Sequence, residues 1–156
     1  MKRVPRVRVA CVLAACAVLL AACSDSGSSA RIDGDGLAGT WTSGKGAALT
    51  IERTPQSFSA TGLKVDASAY PDCTGELDDG GWEFYDEHGL TSPAAGSGTQ
   101  LVLAFPAGRG RQSSACSVDV DVRKKSGRLM LCISDYADST CDSGIYFTKE
   151  DGAPGR

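Results

Sequence analysis

The residues with chemistry to offer are few: one histidine, seven cysteines and a handful of adjacent carboxylates. His88 sits in Asp86-Glu87-His88-Gly89, directly after an apolar run, which is the setting of a turn. A hydrolase triad needs such a base beside a nucleophile, and no Gly-x-Ser-x-Gly elbow supplies one. Asp78-Asp79 could divide the acid and base roles of glycoside hydrolysis, but Gly80-Gly81 follow, and the four residues read as a hairpin turn. Asp119 and Asp121 alternate with valines, so both are expected to face outward into water. Asp33-Gly34-Asp35-Gly36 has the opening of a calcium loop without its glutamate at position twelve or its flanking helices. Gly108-Arg109-Gly110-Arg111 lacks the lysine and following helix of a phosphate loop. The reading is of a chain without a catalytic set, a cofactor or a bound metal.

Its placement is better marked. Residues 1–22 begin with Lys2, Arg3, Arg6 and Arg8, continue through an apolar stretch from Val9 to Leu20, and end on small residues, as a secretory signal does. The stretch is shorter than the roughly 20 residues a spanning helix needs. Leu20-Ala21-Ala22-Cys23 resembles the lipobox of bacterial lipoproteins. That resemblance implies cleavage before Cys23, a diacylglyceryl group on its sulfur, and a protein tethered to the outer face of the cytoplasmic membrane. Two acyl chains hold far more firmly than one. Residues 24–36 are mostly Ser, Gly, Asp and Ala, with Arg31 and a lone Ile32, and read as a flexible tether. A domain over 37–149 and a disordered tail over 150–156 follow.

Loss of the signal turns the net charge of −3 into −7, because four basic residues leave and no acidic ones. That balance disfavours nucleic acid and anionic lipid surfaces as partners, and suits a soluble exposed protein. Four cysteines remain beside Cys23: Cys73, Cys116, Cys132 and Cys141. An even number in an oxidising compartment points to disulfides. Their wide spacing and the lone histidine argue against structural zinc.

Helical periodicity is weak, while short alternating runs are separated by Gly, Pro, Asp and Ser, so the domain reads as all-β. Strands are expected over 38–42, 47–52, 57–63, 81–85, 100–105, 116–123, 128–133 and 144–149. Eight strands with mostly local turns predict an antiparallel meander closed into a small barrel, with a two-sheet sandwich as the alternative. A loop over Lys124-Lys125-Ser126-Gly127 sets Val122 opposite Leu129, Val120 opposite Leu131 and Val118 opposite Ile133, which gathers every apolar residue on one face. Cys116 then shares the inward parity of Val118, whereas Cys132 has the opposite parity, across from Asp119. Side chains pointing apart cannot be bridged. The favoured pairs are Cys73 with Cys116 and Cys132 with Cys141; Cys73 with Cys132 or with Cys141 stays open on sequence alone.

Leu37-Ala38-Gly39-Thr40-Trp41 resembles the Gly-x-Trp opening strand of lipocalin-like barrels, which implies the same small barrel. A wider resemblance runs through Gly39-Thr40-Trp41, Leu49-Thr50-Ile51, Ser57-Phe58-Ser59-Ala60, Gly81-Trp82-Glu83-Phe84, Leu101-Val102-Leu103 and Ile145-Tyr146-Phe147-Thr148-Lys149. It is to small secreted actinobacterial lipoproteins of uncharacterised role, and it implies a fold and no activity. Those relatives often show Gly-Asp-Pro-Asp where this chain has Ser134-Asp135-Tyr136-Ala137-Asp138. Tyr70 and Tyr136 fall in loops that the disulfides would brace, where either caps the barrel end or serves as the candidate binding surface. The expected role is a tethered, non-enzymatic binding module for a small ligand or another exported protein. The alternative is an inhibitor of a cell-wall or proteolytic enzyme: Ser143-Gly144-Ile145-Tyr146 resembles, one residue short, the Ser-Gly-x-x-Tyr loop of lipoprotein lysozyme inhibitors.

Overall fold

The computed structural model describes residues 27–108, 114–133 and 144–150. Cys23, Arg109, Arg111, Tyr136, Cys141, Ser143 and the tail from residue 151 lie outside them, and so do the expectations placed there.

Eight antiparallel strands form the body: β1 Gly39–Ser43, β2 Ala48–Glu52, β3 Ser57–Leu63, β4 Leu77–Tyr85, β5 Gln100–Phe105, β6 Cys116–Lys125, β7 Arg128–Ile133 and β8 Ile145–Lys149. Each pairs with its neighbours in sequence, and β8 returns to pair with β1, where Lys149 faces Trp41 and Phe147 faces Ser43. The meander is therefore a closed lipocalin-like barrel, and the sandwich alternative falls.

Alternation drives the closure. Trp41, Leu49, Ile51, Phe58, Trp82, Phe84, Leu101, Leu103, Phe105, Val118, Val120, Val122, Leu131 and Phe147 are all buried at 3 % exposure or less. An eight-stranded barrel is just wide enough for such side chains to fill. Phe58 meets Phe105 edge to face at 5.1 Å, and Trp82 meets Phe84 likewise at 5.3 Å. Both indole nitrogens are satisfied, Trp41 donating to the Leu37 carbonyl and Trp82 to that of Glu52, each at 2.8 Å. The interior is a packed core.

Four expectations are corrected. The hairpin between β6 and β7 turns on Ser126-Gly127 alone, with φ of 50° and 82°, the geometry of a two-residue primed turn. Val120 therefore faces Ile133, Val122 faces Leu131, and Cys132 lies opposite Asp121. The register moves by two residues, so inward parity survives. Asp78-Asp79-Gly80-Gly81 is no turn but part of β4, because the strand continues back to the buried Leu77. A Cβ on Gly80 would lie 2.0 Å from the Ala104 carbonyl oxygen, so the glycine answers a close strand approach. Residues 27–36 are not a free tether. Ser28 and Ser29 pair with Lys124 and Arg123, Ile32 is buried and pairs with Gly98, and Gly34–Leu37 form one helical turn. Asp33 caps that turn by accepting from the Gly36 amide, and Asp35 pairs with Arg53, so the calcium-like motif serves capping. Asp119 and Asp121 do point outward, but both are half-buried and bonded rather than freely hydrated.

Candidate functional site

With the interior filled, room for a partner lies outside the barrel wall. The 64–76 connection between β3 and β4 is anchored by the buried Leu63 and Leu77 at its ends. Inside it, Asp66 accepts from both the amide and the hydroxyl of Ser68 at 2.7 Å, and these bonds hold its carboxyl below the ordinary carboxylate value. The amides of Ala69 and Tyr70 then donate to the Asp66 carbonyl, and Cys73 donates to that of Tyr70. Cys73 is disulfide-bonded to Cys116 at the start of β6, with Cα atoms 5.3 Å apart, which is the favoured pairing. Cys132 is buried and disulfide-bonded too, while its expected partner Cys141 lies outside the described residues.

This braced loop forms one bank of a groove of about 700 Å³ on the outer face of β4, β5 and β6. Its floor is a row of small residues in register, Gly81 on β4, Ala104 on β5 and Ser117 on β6. Tyr70, Pro71, Asp72, Pro106 and Ala115 also line the groove, and the Ser114 hydroxyl donates to the Asp72 carbonyl at 3.4 Å. The same three floor residues border a second hollow of about 480 Å³ that runs on past Glu83, Tyr85 and Val102. The groove is therefore elongated, floored by small residues and edged with hydroxyls and carboxylates.

Tyr85 closes its far end. From β4 its hydroxyl donates across β5 to the carboxylate of Asp119 on β6. Partial burial and then the bond to Asp119 push the phenol up to about 12, with smaller contributions from the charges of Asp119 and Tyr70. Beyond this strut, Asp121 bonds Arg123 at 3.1 Å and accepts from Gln100 at 2.8 Å. That network ties β5 to β6 on the outside.

The other residues singled out by the sequence fall elsewhere. His88 lines a separate polar hollow with Arg31, Asp86 and Gln100, and its side chain is 74 % exposed with Nε2 3.6 Å from Glu87. No described hydroxyl or thiol bonds to it. Asp86 spends its carboxylate on the amides of His88 and Leu90, a turn-forming use that lowers its own pKa. Of the candidate surface, Tyr70 lines the groove. The sequence reading missed Glu83, Tyr85 and Ala104, which share outward parity on strands it had already placed. Parity was the available signal.

No family model matches this chain, and neither a curated protein nor a solved structure is significantly similar to it.

Proposed function

We propose that this chain is a binding module of the cell envelope, exported and tethered by lipid on Cys23 to the outer face of the cytoplasmic membrane. Its partner is another exported protein, seated in the groove between Tyr70 and Tyr85. The observation that carries this reading is the contrast between a barrel filled by tryptophan, phenylalanine and aliphatic side chains and an open groove on its outer wall. Sites for small molecules enclose most of their ligand, whereas an open trough over three strands suits a segment of another chain. A bank held by a disulfide also loses little freedom on binding. This braced bank equally suits an inhibitor, which acts through a rigid loop.

A photoreactive amino acid placed in the exported chain tests the reading. At Ser117, on the groove floor, it should capture one discrete partner in the intact envelope. At Thr50, exposed on β2 away from the groove, it should capture none. Equal capture at both positions, or none at Ser117, would refute the groove.

A further inference from the structure

Although the exported chain carries a net charge of −7, its charges are not evenly spread. The hairpin of β6 and β7 runs past the barrel rim, because β5 stops pairing at Asp121 while β6 continues to Lys125. From Val122 to Ile133 the sequence holds Arg123, Lys124, Lys125 and Arg128 and no carboxylate. Arg123 is taken up by Asp121, and the tip leaves Lys124 and Arg128 exposed beside Lys125.

The position of the incoming chain gives this tip its meaning. Where β5 ends, Ser28 and Ser29 take its place on β6, pairing with Lys124 and Arg123, and the Ala30 amide donates to the Val122 carbonyl. A Cβ on Gly27 would lie 2.8 Å from the Lys124 carbonyl oxygen, so the chain leaves the barrel pressed against the basic hairpin. Cys23 is four residues upstream, and four residues span at most about 14 Å. A lipid on Cys23 thus holds the cationic tip within roughly a Debye length or two of the headgroups.

We infer that the hairpin tip formed by Lys124, Lys125 and Arg128 docks on anionic lipid headgroups and stands the barrel upright on the membrane; this rests on lipidation of Cys23. The net charge disfavours such a surface only when averaged over the chain, since attraction to headgroups decays within a Debye length and is felt by the nearest charges. The consequence is an orientation. β6 runs ten residues from Cys116 to Lys125, about 30 Å, so the disulfide-braced groove at its start is lifted away from the bilayer.

The test uses the full exported chain reconstituted in vesicles of phosphatidylcholine alone or with one third phosphatidylglycerol, with a fluorescent amino acid at Ser126 or at Ala69 and quencher groups on the lipids. The Ser126 probe should be quenched more strongly in the anionic vesicles, and the gain should vanish in Lys124→Gln/Lys125→Gln/Arg128→Gln and at high salt. Each cation removed should weaken surface attraction about fivefold. The Ala69 probe should stay unquenched throughout. A Ser126 probe equally quenched in both vesicles, or unchanged in the triple variant, would overturn the docking while leaving the anchor intact. A chain that sediments with neither vesicle would remove the anchor, and the docking proposal with it.

Discussion

The ammonium of Lys149, on the last strand, lies 5.6 Å from the centre of the Trp41 ring on the first and donates to the Gly36 carbonyl at 2.6 Å. One side chain thus fastens the seam where the meander closes and the helical turn that seals that end. Trp41 is fully buried and spends its own N–H on Leu37 in the same turn. Lys149→Met should keep the aliphatic stem and lose the charge. It should cost about 2 kcal/mol in urea denaturation, the sum of an exposed cation–π contact of about 0.5 kcal/mol and a charged hydrogen bond of about 1.5 kcal/mol. An unchanged midpoint would show that the seam holds without it.

The Cys73–Cys116 bond closes a separation of 43 residues. The chain-entropy relation gives it about 4 kcal/mol. Cys73→Ala/Cys116→Ala should lower stability by up to that amount, and should raise hydrogen exchange first over 64–76, the bank of the groove. A uniform rise in exchange along the whole barrel would instead make the bond a global staple.

Tyr85 predicts an alkaline effect. Its phenol is raised above the ordinary value to about 12 in the folded chain, so the folded state keeps a proton that the unfolded state releases near pH 10. Stability from this group is complete below pH 10 and is lost as pH rises toward 12. Ultraviolet titration should show a late-ionising tyrosine component that is lost in Tyr85→Phe. The variant should also have a shallower fall in melting temperature between pH 10 and 12.

Gly80→Ala should be among the costlier single-methyl changes. Its Cβ would meet the Ala104 carbonyl oxygen at 2.0 Å and the Phe58 ring at 3.0 Å, neither of which is a flexible end. A loss of about 2 kcal/mol is expected in chemical denaturation. Gly81→Ala, which meets only the Gln56 carbonyl oxygen at 3.5 Å, should be nearly neutral.

The barrel was legible because alternation and turn residues mark each strand, and all eight fall where the pattern puts them to within a few residues. Parity removed Cys116–Cys132 and left Cys73–Cys116 as the favoured pair, with Cys73–Cys132 and Cys73–Cys141 still open until the structure joined Cys73 to Cys116. What misled was local chemistry with two uses. Asp78-Asp79-Gly80-Gly81 has the composition of a turn, yet Leu77 extends β4 back through it, and glycine serves strand approach instead. Lys124 and Lys125 look like loop residues, but a two-residue turn keeps both in the ladder. The groove was only half visible: Tyr70 could be named from its braced loop, whereas the Tyr85–Asp119 strut spans three strands and needs their register to appear.

Leu103 and Ala104 are neighbours on β5 with opposite fates, one buried among the core side chains and one exposed on the groove floor. They allow the claim that binding occurs on the barrel's outer wall to be tested by one measurement, the capture yield from the Ser117 photoprobe in Leu103→Val and in Ala104→Arg, with the melting temperature of each variant as its control. Leu103→Val should lower stability by about 1 kcal/mol and leave capture unchanged. Ala104→Arg should leave the melting temperature nearly unchanged and abolish capture. Capture that survives Ala104→Arg and fails in Leu103→Val would contradict the account and place the partner's site in the barrel interior.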